Sequence, residues 1–391
     1  MKASNATGGR RSTANASSIT RRSFIGRSAG VALAVGGAGG FLSACGGGGA
    51  DNQVVVVSWA GDYLSPKLAE ILREEAGLTL RTVPSESDQD MFTKVKAGGG
   101  DQYDIVFGNC GWAPTYYKNG LTEPFDVSEV EGGEQLWPVF RESANLPYVL
   151  EPGKLLMFPN MWDSLSMAWN LDVPFQPPTP HSWEALWATE IPKGKVLFHA
   201  GPDDLLAIAG LSLGVPRNAI YEMKGAQLED AARHLADLKP FQISNSDATD
   251  DQALSSAKAW IGQLPSLAAA PRINDAQGKE IVQAVVPSQG TLGWVDGPQL
   301  VKGSKNRANA LKFMSVWNGK TWQDWLFEKL GYAQCNEQAT KRVLARGGAA
   351  AQRVRDHGGD DPKRVEELAF QAPPKDPQAW AQAYDGVVGA S

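Results

Sequence analysis

The sequence predicts an α/β protein whose body is large enough for two lobes. Residues 54–57 form a continuous run of four valines, which is typical of a strand buried on both faces. Ser65-Pro66 then begins a helix that Gly77 ends, and a second strand follows at residues 78–83. This βαβ unit, in a chain of 391 residues of which 42% are hydrophobic, indicates α/β architecture in two units of ordinary domain size.

The first fifty residues have the pattern of an export signal and are not expected to join the fold. Arg21-Arg22 precedes a mild apolar run that is shorter than the about 20 apolar residues of a membrane span. The run ends in Leu-Ser-Ala before Cys45, which resembles a lipobox. We therefore predict a twin-arginine signal peptide at residues 1–44, lipid attachment at Cys45 and a glycine-rich tether at residues 45–52. The mature protein would lie outside the cytoplasmic membrane of a bacterium.

The charge of the mature chain disfavours one class of partner. The whole chain has 37 basic and 43 acidic residues and a net charge of −6. Six basic residues precede Cys45, so the mature chain keeps 31 basic residues against the same 43 acidic ones, a charge of about −12. Nucleic acid is therefore a poor partner and a cationic solute a better one, although solubility alone also explains an acidic surface.

Aromatic and polar side chains follow the predicted strands of the first half of the chain. Trp59 and Tyr63 lie on the loop after the first strand, and Asn109 and Trp112 follow the strand at residues 103–107. Open α/β sheets bind ligands at the carboxyl ends of their strands, so we expect a site there. Trp112 is equally consistent with a core residue of the next short helix.

The segment PSQGTLGWVDGP at residues 287–298 combines an aromatic ring with an acid. Trp294 and Asp296 are two residues apart, so in an extended chain their side chains point the same way. An aromatic face attracts an organic ammonium ion by about 0.5 to 2 kcal/mol, and a carboxylate accepts its N–H donors. Taken alone, the segment is more often a turn with a half-buried tryptophan and a solvated aspartate.

Ordered segments over residues 54–338 resemble periplasmic solute-binding proteins of the spermidine/putrescine type, which serve ABC importers. The segments are YDIV with its NCGW loop, GLTEPFD, PNMWDS before WNLD, the SWEALW block, KGKV, AKAWIG, VPSQGTLGWVD and LGYAQCN. The resemblance implies a two-lobed α/β binding-protein fold of type II, in which each lobe is a mainly parallel sheet flanked by helices and the ligand lies in the cleft. It implies lobe 1 at residues 53–158 and 297–336, and lobe 2 at residues 159–296 and 337–391.

The resemblance also implies a site in which aromatic rings enclose a methylene chain and acids bind its ammonium ends. With the strand-end residues included, the residues expected to bind ligand are Trp59, Tyr63, Asn109, Trp112, Asp163, Asp204, Trp260, Trp294, Asp296 and Tyr332. Asp204 matches the acid loop better than Asp203. Trp260 and Tyr332 are also consistent with packed rings.

Three positions depart from the family pattern. Gly201 stands where the family commonly has an acid, Gly111 where it commonly has an aromatic residue, and Asp163 where it commonly has a glycine. Asp163 lies near the expected crossing between lobes, where it either replaces the lost charge or is a solvated aspartate at a strand end. These departures leave the ligand open.

The expected function is capture of a polyamine of the putrescine or spermidine class by hinge closure, and its delivery to an ABC permease. The protein is expected to act as a monomer in the periplasmic space of the bacterial cell envelope, to reach the membrane only through its lipid anchor, and to need no metal or other cofactor. The same fold binding a quaternary amine, a sugar or a metal chelate is the alternative.

A secreted hydrolase is a more distant alternative. The segment GLSLG around Ser212 fits a nucleophile elbow, but it belongs to an apolar stretch that predicts a helix. Cys110 and Cys335 are expected to be unpaired, partly buried thiols, although an oxidising compartment permits a bridge. The segment from residue 340 onward is expected to pack helices against lobe 2 without contributing chemistry.

Overall fold

Two mixed β-sheets organise the chain, and helices cover both of them. The computed structural model describes residues 52–59, 64–199, 201–244, 246–329 and 331–389. Its α-helices are α1 (Pro66–Ala76), α2 (Asp88–Gln102), α3 (Ala113–Lys118), α4 (Pro138–Glu142), α5 (Pro202–Ser212), α6 (Ala226–Asp237), α7 (Asp247–Ser255), α8 (Ala269–Gln277), α9 (Arg307–Asn318), α10 (Lys320–Lys329), α11 (Glu337–Arg346), α12 (Gly348–Asp356) and α13 (Pro377–Gly389). Its strands are β1 (Gln53–Trp59), β2 (Thr79–Ser85), β3 (Ile105–Asn109), β4 (Thr122–Glu123), β5 (Phe125–Asp126), β6 (Val149–Glu151), β7 (Lys154–Leu155), β8 (Met161–Ser164), β9 (Ser166–Asn170), β10 (Val196–His199), β11 (Gln242–Ser244), β12 (Ile261–Leu264), β13 (Val282–Val285), β14 (Leu292–Val301), β15 (Ala333–Gln334) and β16 (Ala369–Phe370).

The first sheet has the strand order β15-β8-β14-β3-β1-β2, and β4 and β16 also pair with β14. Strand β1 runs parallel to β2 and β3, whereas β14 runs antiparallel to β3 and β8. All ten residues of β14 are buried, so this strand joins the two halves of the sheet. We call the part of the chain built on this sheet lobe 1.

The second sheet has the order β11-β10-β12-β9-β13 and defines lobe 2. Strand β10 runs parallel to β11 and β12, whereas β9 runs antiparallel to β12 and β13. A third, small sheet of order β5-β7-β6 lies between β4 and β8 in the chain. The two-lobed α/β class predicted from the sequence is confirmed, with the refinement that each sheet has a parallel half and an antiparallel half.

The lobes exchange chain at positions that differ from the predicted division. Strand β8 pairs with β14 in the first sheet and β9 pairs with β12 in the second, so the chain crosses at Leu165. It returns between β13 and β14. The predicted division at residues 158/159 and 296/297 instead places β8 and the first half of β14 in lobe 2. Only Leu165 separates β8 from β9, so the sequence shows no break at the first crossing.

The C-terminal segment spans both lobes, whereas the sequence places it in lobe 2 alone. Helix α11 packs against α10 and β15 of lobe 1, and β16 pairs parallel with β14. Helix α13 then packs against α5 and α6 of lobe 2, where the fully buried Trp380 donates its indole N–H to the Met223 carbonyl at 3.1 Å. The segment is therefore a further connection between the lobes.

The first βαβ unit forms as its sequence predicts and positions three side chains at one edge of the first sheet. The Ser65 hydroxyl caps α1 by accepting the Leu68 amide, and Gly77 ends the helix at φ +67°. Trp59 ends β1, Asp88 begins the helix that follows β2, and Asn109 ends β3. These residues share the carboxyl edge of the parallel strands, where such sheets bind ligands.

The remaining predictions concern residues that the structure does not describe or that lie away from this sheet edge. The predicted signal peptide, Cys45 and Tyr63 lie outside the described residues. In the described part, no helix is long and apolar enough to cross a bilayer. Ser212 lies in α5 and donates its hydroxyl to the Ala209 carbonyl at 2.7 Å, so the strand that a nucleophile elbow needs before its serine is missing. Cys110 and Cys335 are free thiols, and both are fully rather than partly buried.

Candidate functional site

One carboxylate of lobe 1 accepts hydrogen bonds from residues at the ends of two strands. Asp88 is the first residue of α2, and its carboxylate accepts hydrogen bonds from the Asn109 amide at 3.4 Å and from the Trp59 side chain. Burial raises the pKa of Asp88 from 3.8 to about 7; the Asn109 hydrogen bond opposes that rise, and the charge of Asp204 in lobe 2 adds to it. Asp88 is therefore a half-buried acid that is only partly ionised near neutral pH.

A second acid, Asp296 of β14, lies close to Asp88. It pairs with Asn109 of β3 on one side and Met161 of β8 on the other, and it is 6% exposed. Its Oδ1 atom is buried and makes no hydrogen bond to any described residue. Burial and then the charge of Asp88 raise the pKa of Asp296 well above its usual range. A buried carboxylate without a partner is costly, which indicates that this position serves a ligand.

Lobe 2 contributes two further acids in the first turn of α5, Asp203 and Asp204. Asp204 accepts hydrogen bonds from the Tyr221 hydroxyl at 2.7 Å and from the Gln371 side-chain amide at 2.5 Å. Burial raises the pKa of Asp204. Burial, followed by the charge of Asp204, raises the pKa of Asp203 to about 6. The two hydrogen bonds fix the Asp204 carboxylate, and the charge of His199 opposes the rise of its pKa. Among the residues that the structure describes, no lysine or arginine forms an ion pair with Asp203 or Asp204.

The four carboxylates form one acidic site between the lobes. Asp88 and Asp204 belong to different lobes and are close enough for their charges to interact, as are Asp88 and Asp296. Throughout the described ranges, no lysine or arginine forms an ion pair with any of the four. Mutual repulsion and burial both favour the protonated forms, and a bound cation would reverse both effects.

Two aromatic rings lie beside these acids and contact lobe 2. Trp294 and Tyr332, each 6% exposed, meet edge to face with ring centroids 5.2 Å apart. The Trp294 indole N–H donates to the Pro265 carbonyl at 2.8 Å, and the Tyr332 hydroxyl donates to Asp247 at 3.3 Å. Trp294 and Asp296 lie two residues apart on β14, as the extended chain predicted, so they share one face of the sheet.

A neighbouring cluster in lobe 2 contains the residues best arranged to share a cation. His199, Asp247 and Asp250 bring ligand atoms within 4.8 Å of one another. The His199 Nδ1 atom lies 2.5 Å from Asp250, and Arg272 lies 3.2 Å from Asp247. Burial alone would lower the pKa of His199, but Asp250 and then Asp247 raise it. The cluster therefore already contains one positive charge, that of Arg272, and its acids favour the protonated form of His199.

Trp260 does not join the other predicted site residues. It directly precedes β12, and its backbone amide donates to the Lys195 carbonyl at 2.8 Å just before β10. Both positions are at the amino edge of the parallel strands, opposite the acids. Trp260 instead lines a separate pocket of about 710 Å³ with Phe175 and Pro178. The resemblance of the AKAWIG segment to the family placed Trp260 in the site, whereas the structure places it just before β12.

Trp112 and Asp163 were both expected among the ligand-binding residues, and the structure gives each of them a different role. Trp112 packs against Phe92 of α2 at a centroid distance of 6.0 Å, within an apolar cluster, which agrees with the core interpretation. Asp163 is 3% exposed and accepts hydrogen bonds from the Ser164 amide and from lobe 2, so it is neither solvated nor free to bind a ligand. Asn109 contributes through its backbone amide, and its side chain caps the next turn by accepting the Gly111 amide at 2.9 Å.

The profile of the bacterial extracellular solute-binding protein family matches residues 67–349, which is most of the chain and covers both lobes. The chain belongs to this family.

Its relatives and structural neighbours bind different solutes. The spermidine/putrescine-binding periplasmic protein of Escherichia coli K12 is 23% identical over 291 residues, 74% of this chain and 80% of that protein. A putative spermidine/putrescine ABC transporter protein from Listeria monocytogenes superposes with a TM-score of 0.70 at 20% identity, over 86% of this chain and 97% of the other. The protein MotA of A. tumefaciens B6 in complex with glucopine superposes with a TM-score of 0.62 at 18% identity, over 86% and 99%. The shared fold is thus compatible with more than one ligand.

Two residues of the candidate site, Asp88 and Gln371, were not predicted from the sequence. Asp88 follows β2 at the same sheet edge as Trp59 and Asn109, so the rule that selected those residues could have selected it too. Gln371 carries no such signal. It reaches the site because β16 pairs with β14, about 75 residues earlier in the chain, and only then does its amide meet Asp204.

The same C-terminal segment explains one departure from the family pattern and gives a matched pair of variants. A Cβ atom at Gly111 would lie 1.9 Å from the Gln371 carbonyl oxygen, whereas one at Gly201 would meet nothing within 4 Å. We expect Gly111→Ala to displace the segment and to lower the free energy of unfolding by about 1 to 3 kcal/mol. Gly201→Ala should change it by less than about 0.5 kcal/mol. Thermal unfolding and limited proteolysis after β16 check this, and equal behaviour of the two variants would contradict it.

Proposed function

We propose that this solute-binding protein captures a polyamine of the putrescine or spermidine class and delivers it to an ABC importer. The observation that carries the proposal is the acidic site, in which Asp88, Asp203, Asp204 and Asp296 lie between the lobes without an ion-paired lysine or arginine among the described residues. The similarity to the spermidine/putrescine-binding protein of E. coli and to the L. monocytogenes protein supports the same class of ligand.

The chemistry of the site fits a chain with an ammonium group at each end. One ammonium would lie against Asp88 and Asp296 of lobe 1, and another against Asp204 of lobe 2, which Tyr221 and Gln371 hold in place. The methylene chain between them would pass the rings of Trp294 and Tyr332. Since a single ligand then neutralises acids of both lobes, its binding favours the closed arrangement that a permease would recognise.

The acids also disfavour ligands of another charge. A ligand with its own carboxylates would add negative charge to a site that already raises the pKa of Asp296 and Asp204. The charge of His199 lowers the pKa of Asp204 and so offsets this only in part, because His199 also contacts Asp250 and Asp247. Arg272 is paired with Asp247 and Asp251. Ligands that carry carboxylates are therefore weaker candidates than polyamines.

Export and anchoring remain part of the proposal on sequence grounds. The twin-arginine pattern and the lipobox-like residues before Cys45 support transport across the cytoplasmic membrane and attachment of lipid to Cys45. The protein would then act as a monomer in the periplasmic space, tethered through residues 45–52.

Calorimetric titration of the mature, unlipidated chain with putrescine, spermidine and spermine tests the proposed function. Trp294→Ala should weaken binding by about tenfold, which lies within the range of about 0.5 to 2 kcal/mol for one cation–π contact. Trp260→Ala is the matched control, because it removes the same ring at the opposite edge of the strands, and it should leave affinity within about twofold. Absence of heat with every polyamine, or equal losses in both variants, would contradict the proposal.

A further inference from the structure

Asp163 is a buried carboxylate that connects the two lobes at their crossing point. It lies on β8 of lobe 1, two residues before Leu165, and is 3% exposed. Its Oδ2 atom accepts the Ser266 hydroxyl of lobe 2, and its Oδ1 atom accepts the Ser164 amide at 2.7 Å and the Leu267 amide at 3.5 Å. Burial raises the pKa of Asp163, against the opposing charge of His357.

The Ser266 side of this contact is itself fixed within lobe 2. The Ser266 hydroxyl oxygen accepts the amide of Ala268, the residue before α8, at 2.8 Å. The Ser266 carbonyl accepts the Ser166 hydroxyl of β9 at 3.0 Å. Asp163 therefore reaches a rigid turn rather than a loose loop, and its carboxylate lies near the amino end of a nine-residue helix, where negative charge is favoured.

The turn that Asp163 holds also holds the Trp294 ring. Pro265, the residue before Ser266, accepts the Trp294 indole N–H at 2.8 Å. Asp163 and Trp294 are cross-strand partners in the register of β8 and β14, so their side chains lie on the same face of the sheet. Trp294 in turn meets the Tyr332 ring at 5.2 Å. A continuous set of contacts thus runs from the crossing strand to the aromatic wall of the site.

We infer that Asp163 is a positioning residue that fixes the turn at residues 265–267. Through the Pro265 carbonyl of that turn, it also fixes the orientation of the Trp294 indole. Asp163, which stands where the family commonly has a glycine, then orients the Trp294 ring. It does not bind the ligand in place of the acid that is missing at Gly201. The inference rests on the proposed ligand site for its purpose, but the contact between Asp163, the turn and Trp294 is tested without any ligand.

Indole ¹H–¹⁵N NMR of the mature chain provides that test. The chain has 13 tryptophans, and the Trp294 signal is assigned by its loss in Trp294→Phe. We expect Asp163→Ala to shift this signal and to accelerate its hydrogen exchange by about tenfold or more, because the turn is released. Asp163→Asn keeps one acceptor oxygen and should restore most of the protection.

The control is a second buried aspartate in the same sheet. Asp104, also 3% exposed, accepts the Val55 amide at 2.8 Å and the Ser304 hydroxyl at 2.5 Å, at the far end of β3 from the site. Asp104→Ala should destabilise the protein but leave the Trp294 indole signal in place. Ser266→Ala should reproduce the Asp163→Ala shift, and the double variant should add little to either.

An unchanged Trp294 signal in folded Asp163→Ala or Ser266→Ala would overturn the inference, as would an equal change in Asp104→Ala. Polyamine titration of the same variants separates the two claims. If the wild-type protein binds no polyamine while the indole signal responds as expected, the proposed function fails and the positioning role stands. If polyamine binds tightly and the indole signal does not respond, the positioning role fails alone.

Discussion

Replacing Asp296 by asparagine is expected to weaken polyamine binding by about 30-fold or more, which corresponds to about 2 kcal/mol for a buried charge that loses its partner. The same change should raise the melting temperature of the unliganded protein. Asp296 is 6% exposed, its Oδ1 atom has no hydrogen-bond partner among the described residues, and burial raises its pKa. Removing an uncompensated buried acid stabilises the folded chain while it removes a partner of the ligand.

Titration calorimetry and thermal unfolding measure the two effects on the same sample. Asp172→Asn is the control for net charge, because the Asp172 side chain is 68% exposed and lies away from the site. It should change neither quantity appreciably. A loss of affinity together with a lower melting temperature in Asp296→Asn would contradict the account, because it would show that Asp296 supports the fold rather than the ligand.

Polyamine affinity is expected to fall about tenfold between pH 8 and pH 6, through the titration of Asp88. Burial raises the pKa of Asp88 to about 7, so this carboxyl is mostly protonated at pH 6 in the unliganded protein. An ammonium ion favours the ionised form, so binding near pH 7 should release roughly half a proton from this group. Asp203, whose pKa burial raises to about 6, adds to the effect in the same direction.

The stability of the unliganded protein should depend on pH in the opposite direction to the affinity. Between pH 4 and pH 7 the folded protein holds a proton on Asp88 that the unfolded chain has lost, so unfolding releases it and stability falls as pH rises through this range. Titrations in two buffers of different ionisation enthalpy count the protons released. Asp88→Asn should flatten both profiles, and an affinity that is independent of pH between 6 and 8 in the wild-type protein would contradict this role of Asp88.

The parts of the fold that were predicted correctly are those that local sequence determines. The valine run of β1, the Ser65 cap and the Gly77 end of α1 each act within a few residues, and the structure has them where the sequence placed them. Trp294 and Asp296 share a sheet face for the same reason, since alternation along a strand is a local property.

The parts that were not predicted depend on contacts between distant segments. The resemblance of the AKAWIG segment placed Trp260 in the site, but the residue lies just before β12, at the amino edge of the parallel strands. Asp163 has partners in Ser266 and Leu267, about 100 residues later, and no local pattern indicates these contacts. Gln371 enters the site through a strand of two residues, which has no recognisable periodicity.

A crystal structure of the mature protein with bound spermidine tests the central claim most directly. The account predicts one ammonium nitrogen within about 3 Å of the Asp296 or Asp88 carboxylate, another at the same distance from Asp204, and the methylene chain against Trp294. A ligand bound elsewhere, with the four aspartates facing only water, would contradict the assignment of this acidic site as the polyamine site.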